Sequence, residues 1–298
     1  MSDLRVAVAQ FDLRPESSFE GFIAHVRSLV TDAAQRHAEV LVLPELVTTG
    51  LLGTVTDHRV TTATVSRDYR TVFPSFTDQL IDAYVDLAAR HNITIVGGSH
   101  YRLAPDGSLR NTCILAHPGG RVAMQDKLHL TPPEHALGAV GGENVLITQL
   151  GPFTVGIQIC ADIEFPEVSR YLVGQGVDLI LCPSLTWNRR GAQRVRIGAH
   201  ARAMENQLYV VGSPLIGTSG LPEDHPLHGT GHAFVAGPID KTMGSNDGVV
   251  AKDVDRAESI LVVDLDRDLL TKSRAHTEPP GLSLRRLDLY DRLLNKDR

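Results

Sequence analysis

Val145 to Glu167 reads VLITQLGPFTVGIQICADIEFPE. Two apolar segments flank Gly151-Pro152, a dipeptide that favours a turn, so they predict a pair of strands with the second ending at Cys160. Pro166 suits the first turn of a helix, where a missing N–H costs nothing, and residues 166–174 restart a helical pattern. VDLILCPS at 177–184 then reads as a further buried strand. The stretch therefore alternates strand, turn, helix and strand, and a cysteine stands at the turn.

The same rhythm extends in both directions. LRVAVAQFD (4–12) reads as a buried strand, followed by Phe19, Phe22, Ile23, Val26, Leu29, Val30, Ala33, Ala34 and His37 at the spacing of an amphipathic helix. EVLVLPEL (39–46) is a β-branched strand ending at Pro44-Glu45, and a threonine-rich stretch of about twenty residues after it predicts a functional or mobile loop. A second helix carries Phe76, Leu80, Tyr84, Leu87 and Ala88 on one face, and strands follow in ITIVGGS (93–99), NTCILAHP (111–118) and RVAMQDKLHL (121–130). Downstream, a helix runs through RIGAHARAMENQ (196–207), with strands in LYVVGSPLIG, GHAFVAG and ESILVVDLD and a short helix before the tail. Strands outnumber helices and helices fall between strand pairs. Helices should then cover the outer faces of two stacked sheets in one domain spanning 1–298.

Composition narrows the function. With 42% hydrophobic and 21% charged residues, the chain can bury one large core. The net charge of -6 is spread along the sequence with no basic run, which argues against nucleic acid or a membrane surface as partner. The opening MSDLRVAVAQ has no signal-peptide pattern and no apolar run reaches membrane-spanning length, so a cytoplasmic location is expected. Cys113, Cys160 and Cys182 show no zinc-like spacing and are expected to be free thiols.

Of these three, Cys160 is the nucleophile candidate. A strand-to-helix turn exposes its sulfur and brings a helix dipole and free N–H groups near it, which favours a thiolate or a developing oxyanion. Cys113 and Cys182 lie in plain apolar strands and read as small buried hydrophobes. A thiol needs a base, and histidine is the usual partner. None of the 13 histidines is marked out by spacing. Glu45, immediately after LVLP, is another option at a strand's C-terminal rim, although a glutamate there is most often a solvated loop charge. Lys127 in QDKLHLTPPEH could lower a thiol pKa and donate to an oxyanion; Glu134, at the end of the same turn, could order it, or be a surface carboxylate. Trp187 in PSLTWN could line a pocket or be buried in packing. Arg202, Glu205 and Asn206 fit a helix-anchoring network better than catalysis.

VLPEL around Glu45, DKLHLTPPE around Lys127 and GIQICADIEFPE around Cys160 together resemble the nitrilase, or carbon-nitrogen hydrolase, superfamily, which uses Glu, Lys and Cys in that order. VAVAQFD, RAMENQLYVVGS, GPID and LRRLDLY look closest to the branch often fused to an acetyltransferase domain. The resemblance implies a four-layer α-β-β-α sandwich that assembles at least as a homodimer, with the 276–298 tail packing at the interface. It implies thiol hydrolysis of a carbon-nitrogen bond in a small amide, carbamoyl or nitrile substrate, with no metal and no organic cofactor. Glu45 would be the base, Lys127 and the Ala161 N–H the oxyanion donors, and Glu134 the second glutamate described in many members. Ala161 departs from relatives that carry Tyr or Trp after the cysteine, which alters the pocket wall. The alternatives are an acyltransferase passing the same thioester to an amine, and a non-catalytic interaction protein that keeps the fold.

Overall fold

The computed structural model describes residues 3–61, 63–218, 228–277 and 281–294. In chain order the elements are β1 (Asp3–Leu13), α1 (Phe19–Gln35), β2 (Val40–Val42), α2 (Val65–Ser75), α3 (Thr77–His91), β3 (Thr94–Leu103), β4 (Leu109–Ala116) and β5 (Val122–Asp126). There follow α4 (Pro132–Ala136), β6 (Ile147–Leu150), β7 (Phe153–Ile157), α5 (Pro166–Gly174), β8 (Leu179–Leu185) and α6 (Arg189–Asn206). The chain ends with β9 (Tyr209–Thr218), β10 (His228–Gly229), β11 (Phe234–Ala236), β12 (Val249–Lys252), β13 (Ser259–Asp266), α7 (Arg267–His276) and α8 (Leu287–Leu294).

The main strand order is β5-β4-β3-β2-β1-β9-β8-β7-β6, and β1 is the hinge of this array. Its first part pairs in parallel with β2 and antiparallel with β13, whereas Phe11–Leu13 pair in parallel with β9. One strand thus belongs to two sheets. Its side chains alternate accordingly: Val6 and Val8 join the core that contains β7, β8 and β9, while Ala7 and Ala9 join the core beneath α1 and α3. The small alanines let α1 lie close, with Phe22, Val26, Val30 and Ala33 buried against them. On the opposite side α6 places Val195, Ala199 and Ala203 over the second sheet. The layers run helix, sheet, sheet, helix, which is the expected α-β-β-α sandwich. No helix among the described residues is long and apolar enough to cross a membrane.

Several boundaries differ from the sequence expectation. The threonine-rich stretch is no loose loop: Val47–Thr54 forms a 3-10 helix whose first six residues are buried, and α2 follows. Threonines read as polar, yet Thr49 donates its hydroxyl to the Leu46 carbonyl at 2.7 Å, so its polar atom is satisfied locally and burial costs little. Phe76 is the joint between α2 and α3, not the start of a helical face. Strand β7 stops at Ile157 and Cys160 opens a short 3-10 helix, because the chain must leave the sheet to reach α5. Helix α6 begins at Arg189, earlier than expected, where Asn188 caps it by accepting the Gly191 N–H at 3.0 Å. The tail expected at 276–298 lies partly outside the described residues; within it α8 presents Leu287 and Leu293 to solvent.

Candidate active site

Glu45, Lys127 and Cys160 each follow the C-terminal end of a strand, after β2, β5 and β7 respectively. The two-sheet architecture brings those three ends to one rim, so residues 33 or more positions apart meet. Glu45 is fixed by its neighbours. Leu46, directly after it, takes a left-handed φ of 48°, and its N–H donates to Ser99 Oγ at 2.9 Å. Ser99 N–H donates to the Pro44 carbonyl at 3.1 Å. The approach of the two chains requires Gly98, at φ 66°, because any Cβ there would overlap the Pro44 oxygen.

Lys127 is buried and donates to Glu45 Oε1 and to Glu134 Oε2, both at 2.7 Å. Glu134 belongs to α4, where Pro132 occupies the first turn and Thr131 donates its N–H and Oγ to Glu134 Oε2 at 2.9 and 2.8 Å. A short helix thereby aims its acidic residue inward instead of into water. The cluster holds two carboxylates around one ammonium. Burial would lower Lys127, but the charges of Glu45 and Glu134 outweigh it and hold the ammonium well above its ordinary value. The carboxylates separate in opposite directions. Burial raises Glu45, with the Glu134 charge adding and Lys127 opposing only in part. Burial also pushes Glu134 up, but Lys127, Asn111 and Thr131 together carry it below its ordinary value. Such a split is the arrangement that lets one carboxylate exchange a proton while the other stays charged.

Cys160 has a φ of 50°, a left-handed conformation uncommon outside glycine, which turns the sulfur toward the cluster. Its Sγ donates to the Leu185 carbonyl at 3.5 Å, and Glu45 stands close enough to couple electrostatically to the thiol. Leu185 N–H in turn donates to Glu45 Oε2 at 2.9 Å, so the end of β8 ties carboxylate and thiol together. Burial and the adjacent Glu45 charge raise the thiol well above its ordinary value despite Lys127, and it rests protonated. Attack by the sulfur therefore needs a proton acceptor at hand, and Glu45 is placed to be one.

The Cys160 turn is locked from behind by Asp162, a residue the sequence reading did not single out. Its carboxylate accepts N–H groups from Ile159 at 3.1 Å, Leu128 at 3.3 Å and His129 at 2.7 Å. One buried carboxylate thus joins the Cys160 turn to the loop that follows Lys127. Asn111 was also missed. On β4 it donates its side-chain amide to Glu45 Oε1 at 3.0 Å and to Glu134 Oε1 at 2.8 Å. A polar residue opening an apolar strand was its only sequence signal.

The charged cluster and Cys160 line a cavity of about 650 Å³, a size suited to a small organic ligand. Glu45, Lys127, Glu134 and Cys160 form its floor, and Ala161, Trp187, Tyr69 and Tyr101 also line it. Trp187 is partly buried, so packing and pocket wall are both true of it. Among the described residues no histidine lines this cavity, and His129 is engaged with Asp162 and stacked on Phe165 at 3.8 Å between ring centroids. The RAMENQ residues lie elsewhere: Arg202 pairs with Glu205 at 3.0 Å and Asn206 donates to the Arg202 carbonyl.

Comparison with known proteins bears on the same architecture. The chain is 32% identical over 288 residues to the "Probable hydrolase YhcX" of Bacillus subtilis, covering 96% of this chain and 54% of that protein. It thus spans about half the length of that relative. The "Omega-amidase, chloroplastic" of Arabidopsis thaliana is 25% identical over 282 residues, covering 90% of this chain and 69% of that protein. Among solved structures, the amidase from Nesterenkonia sp., as a double mutant in complex with acrylamide, superposes with a TM-score of 0.75 at 22% identity, covering 98% of both chains. A Saccharomyces cerevisiae member of branch 10 of the nitrilase superfamily gives a TM-score of 0.73 at 20% identity, covering 92% of this chain and 94% of its own. Residues 5–275 match the model of the carbon-nitrogen hydrolase family, and to that family the chain belongs.

Proposed function

We propose that the protein is a thiol hydrolase that cleaves the carbon-nitrogen bond of a small amide through a thioester on Cys160. The observation that carries this reading is the buried Lys127 ammonium bridging Glu45 and Glu134 beside a thiol in a ligand-sized cavity. Glu45 takes the thiol proton as Cys160 Sγ bonds to the substrate carbonyl carbon. The carbonyl oxygen becomes an oxyanion, held by the Lys127 ammonium and the Ala161 backbone N–H, which lies in the first turn of the 3-10 helix and so has no partner within that helix. Glu45 returns the proton to the departing nitrogen, the C–N bond breaks and ammonia or an amine leaves. Glu45 then takes a proton from water, whose oxygen attacks the thioester carbon; the C–S bond breaks, and the thiol recovers its proton as the acid departs. Lys127 and Glu134 stay charged throughout. Amides are favoured over nitriles because amidase names recur among the relatives, in the "Omega-amidase, chloroplastic" and the "Deaminated glutathione amidase" of Synechocystis.

The reading extends to assembly: the exposed apolar side of α8, with Leu287 and Leu293, supports a homodimer in which this helix packs against the partner. Light scattering at micromolar concentration would show a dimer, and a fully active monomer overturns that part.

The chemistry is tested by incubating the full chain with primary amides of graded length, measuring ammonia, and quenching in acid for mass spectrometry. The expected result is ammonia release together with an acyl mass on the Cys160 peptide. Ammonia release that persists in Cys160→Ala overturns the reading.

A further inference from the structure

We propose that Asn111 is a positioning residue for this reaction, a clamp whose side-chain amide holds the Glu45 and Glu134 carboxylates at a fixed separation on either side of Lys127. The proposal rests on the reading of Glu45 as base and Cys160 as nucleophile. Both amide hydrogens have a carboxylate partner, at 3.0 Å for Glu45 Oε1 and 2.8 Å for Glu134 Oε1. The orientation of the amide follows from charge alone: a flipped side chain would set its carbonyl oxygen against two carboxylates. Asn111 is also tied to Lys127 through the backbone, because its carbonyl accepts the Lys127 N–H at 2.8 Å. One residue therefore touches both carboxylates and anchors the backbone of the lysine between them.

A second observation separates this role from ordinary strand packing. Asn111 is 1% exposed, and its Oδ1 is buried with no hydrogen-bond partner among the described residues. An unsatisfied buried carbonyl is costly, and an apolar residue of similar shape would remove that cost. The amide is there for its donors. Those donors fill Glu134 Oε1, which Lys127 leaves open, and join Lys127 on Glu45 Oε1, so the two carboxylates meet donors instead of each other and need not share a proton as closely placed carboxylates do. Glu45 Oε1 accepts from both Asn111 and Lys127, whereas Oε2 accepts from Leu185 N–H at 2.9 Å and keeps a lone pair for a proton. The clamp thus selects which oxygen receives the Cys160 proton.

The test is alkylation of the folded full chain by iodoacetamide across about pH 5 to 10, with the Cys160 peptide resolved by mass spectrometry, since the rate follows proton transfer from the thiol. Removing the donors in Asn111→Ala destabilises the ionised carboxylates; the acid midpoint should rise by about one pH unit, and the rate at pH values below both midpoints should fall about tenfold. Asn111→Asp keeps the shape, adds a third carboxylate and should move the midpoint further up, which supplies the answer even if the alanine variant folds poorly. A folded variant with an unchanged midpoint, or a rate lowered by one factor at every pH, overturns the clamp. If Cys160 of the unaltered chain reacts no faster than Cys113 and Cys182, the hydrolase reading and the clamp fall together.

Discussion

The two sheets contribute differently to the cavity. The sheet of β2 to β5 supplies the charged groups Glu45, Lys127 and, through α4, Glu134, together with the neutral amide of Asn111 between the carboxylates. The sheet of β7 and β8 supplies one reactive atom on a strained turn, together with the backbone of Leu185 that holds it. Charged groups in a buried site depend on one another, so a change to one leaves its partners unpaired. The thiol is neutral at rest, so removing it leaves no buried charge unpaired. The two halves should therefore separate in experiment, with the nucleophile half losing activity alone and the charged half losing activity and stability together.

The largest effect belongs to Cys160→Ala, which should lower amide turnover on the order of 10⁴-fold or more while the fold is kept, as removal of a covalent nucleophile does. Cys113→Ala and Cys182→Ser sharpen the contrast. Burial raises the Cys113 thiol to about 12 and the Cys182 thiol well above its ordinary value, and neither lies on a turn. Each should retain most activity. Equal losses for all three, with circular dichroism unchanged, would remove Cys160 from its role.

Next comes Lys127→Met, which leaves two buried carboxylates facing each other without a cation. Breaking a buried ion pair in this way costs about 3 to 5 kcal/mol of stability, to be read by urea unfolding, besides abolishing turnover. The double change Lys127→Met with Glu134→Gln should recover part of that stability and none of the activity. A single variant as stable as the parent would show that the charged half does not depend on its cation.

The acid side separates the halves by pH. Burial raises Glu45, so its base form is lost as pH falls toward a value above the ordinary 4.5. Glu134 is shifted the other way: its stabilising contribution is complete above 4.5 and disappears only as pH falls through its lowered value. Activity should thus decline, by about tenfold per pH unit below the midpoint, while the fold is still intact. A pH profile of kcat/KM beside thermal melts checks this, and coincident loss of both would contradict it.

The nucleophile half was the more legible in sequence. A cysteine between an apolar strand and a Pro-started helix is a local pattern, and α5 begins at Pro166 as that pattern requires. The strand-helix rhythm also gave the sandwich, because alternation along β1 and the spacing along α1 report burial directly. The charged half could not be assembled from local patterns. Asn111 and Glu45 are 66 positions apart, and their meeting depends on β3 lying between β2 and β4. Family resemblance supplied Glu134, whereas Asn111 had no motif to mark it, and Asp162, though inside the GIQICADIEFPE motif, acts through other residues and was not singled out. The stretch 47–54 misled for a physical reason: threonine satisfies its own hydroxyl by bonding back to the chain, so a threonine-rich segment can be buried as readily as an apolar one.

The smallest expected effect concerns the wall beside the nucleophile. Ala161 lines the cavity next to Cys160, and its side chain is a single methyl, while its contribution to an oxyanion would come from the backbone N–H. Side-chain size and chemistry are thereby uncoupled at one residue. Ala161→Tyr fills volume that a larger acyl group would need, yet leaves the N–H where it was. The variant should lower kcat/KM for the bulkiest amides of a graded series by roughly 1 to 3 kcal/mol and spare the smallest. Alkylation of Cys160 serves as the control for an undisturbed turn, since φ at this cysteine is already in the left-handed region and a shifted backbone would alter thiol reactivity directly. Losses that grow with substrate size while alkylation is unchanged place Ala161 in the pocket wall; a uniform loss accompanied by slower alkylation places its effect in the nucleophile turn.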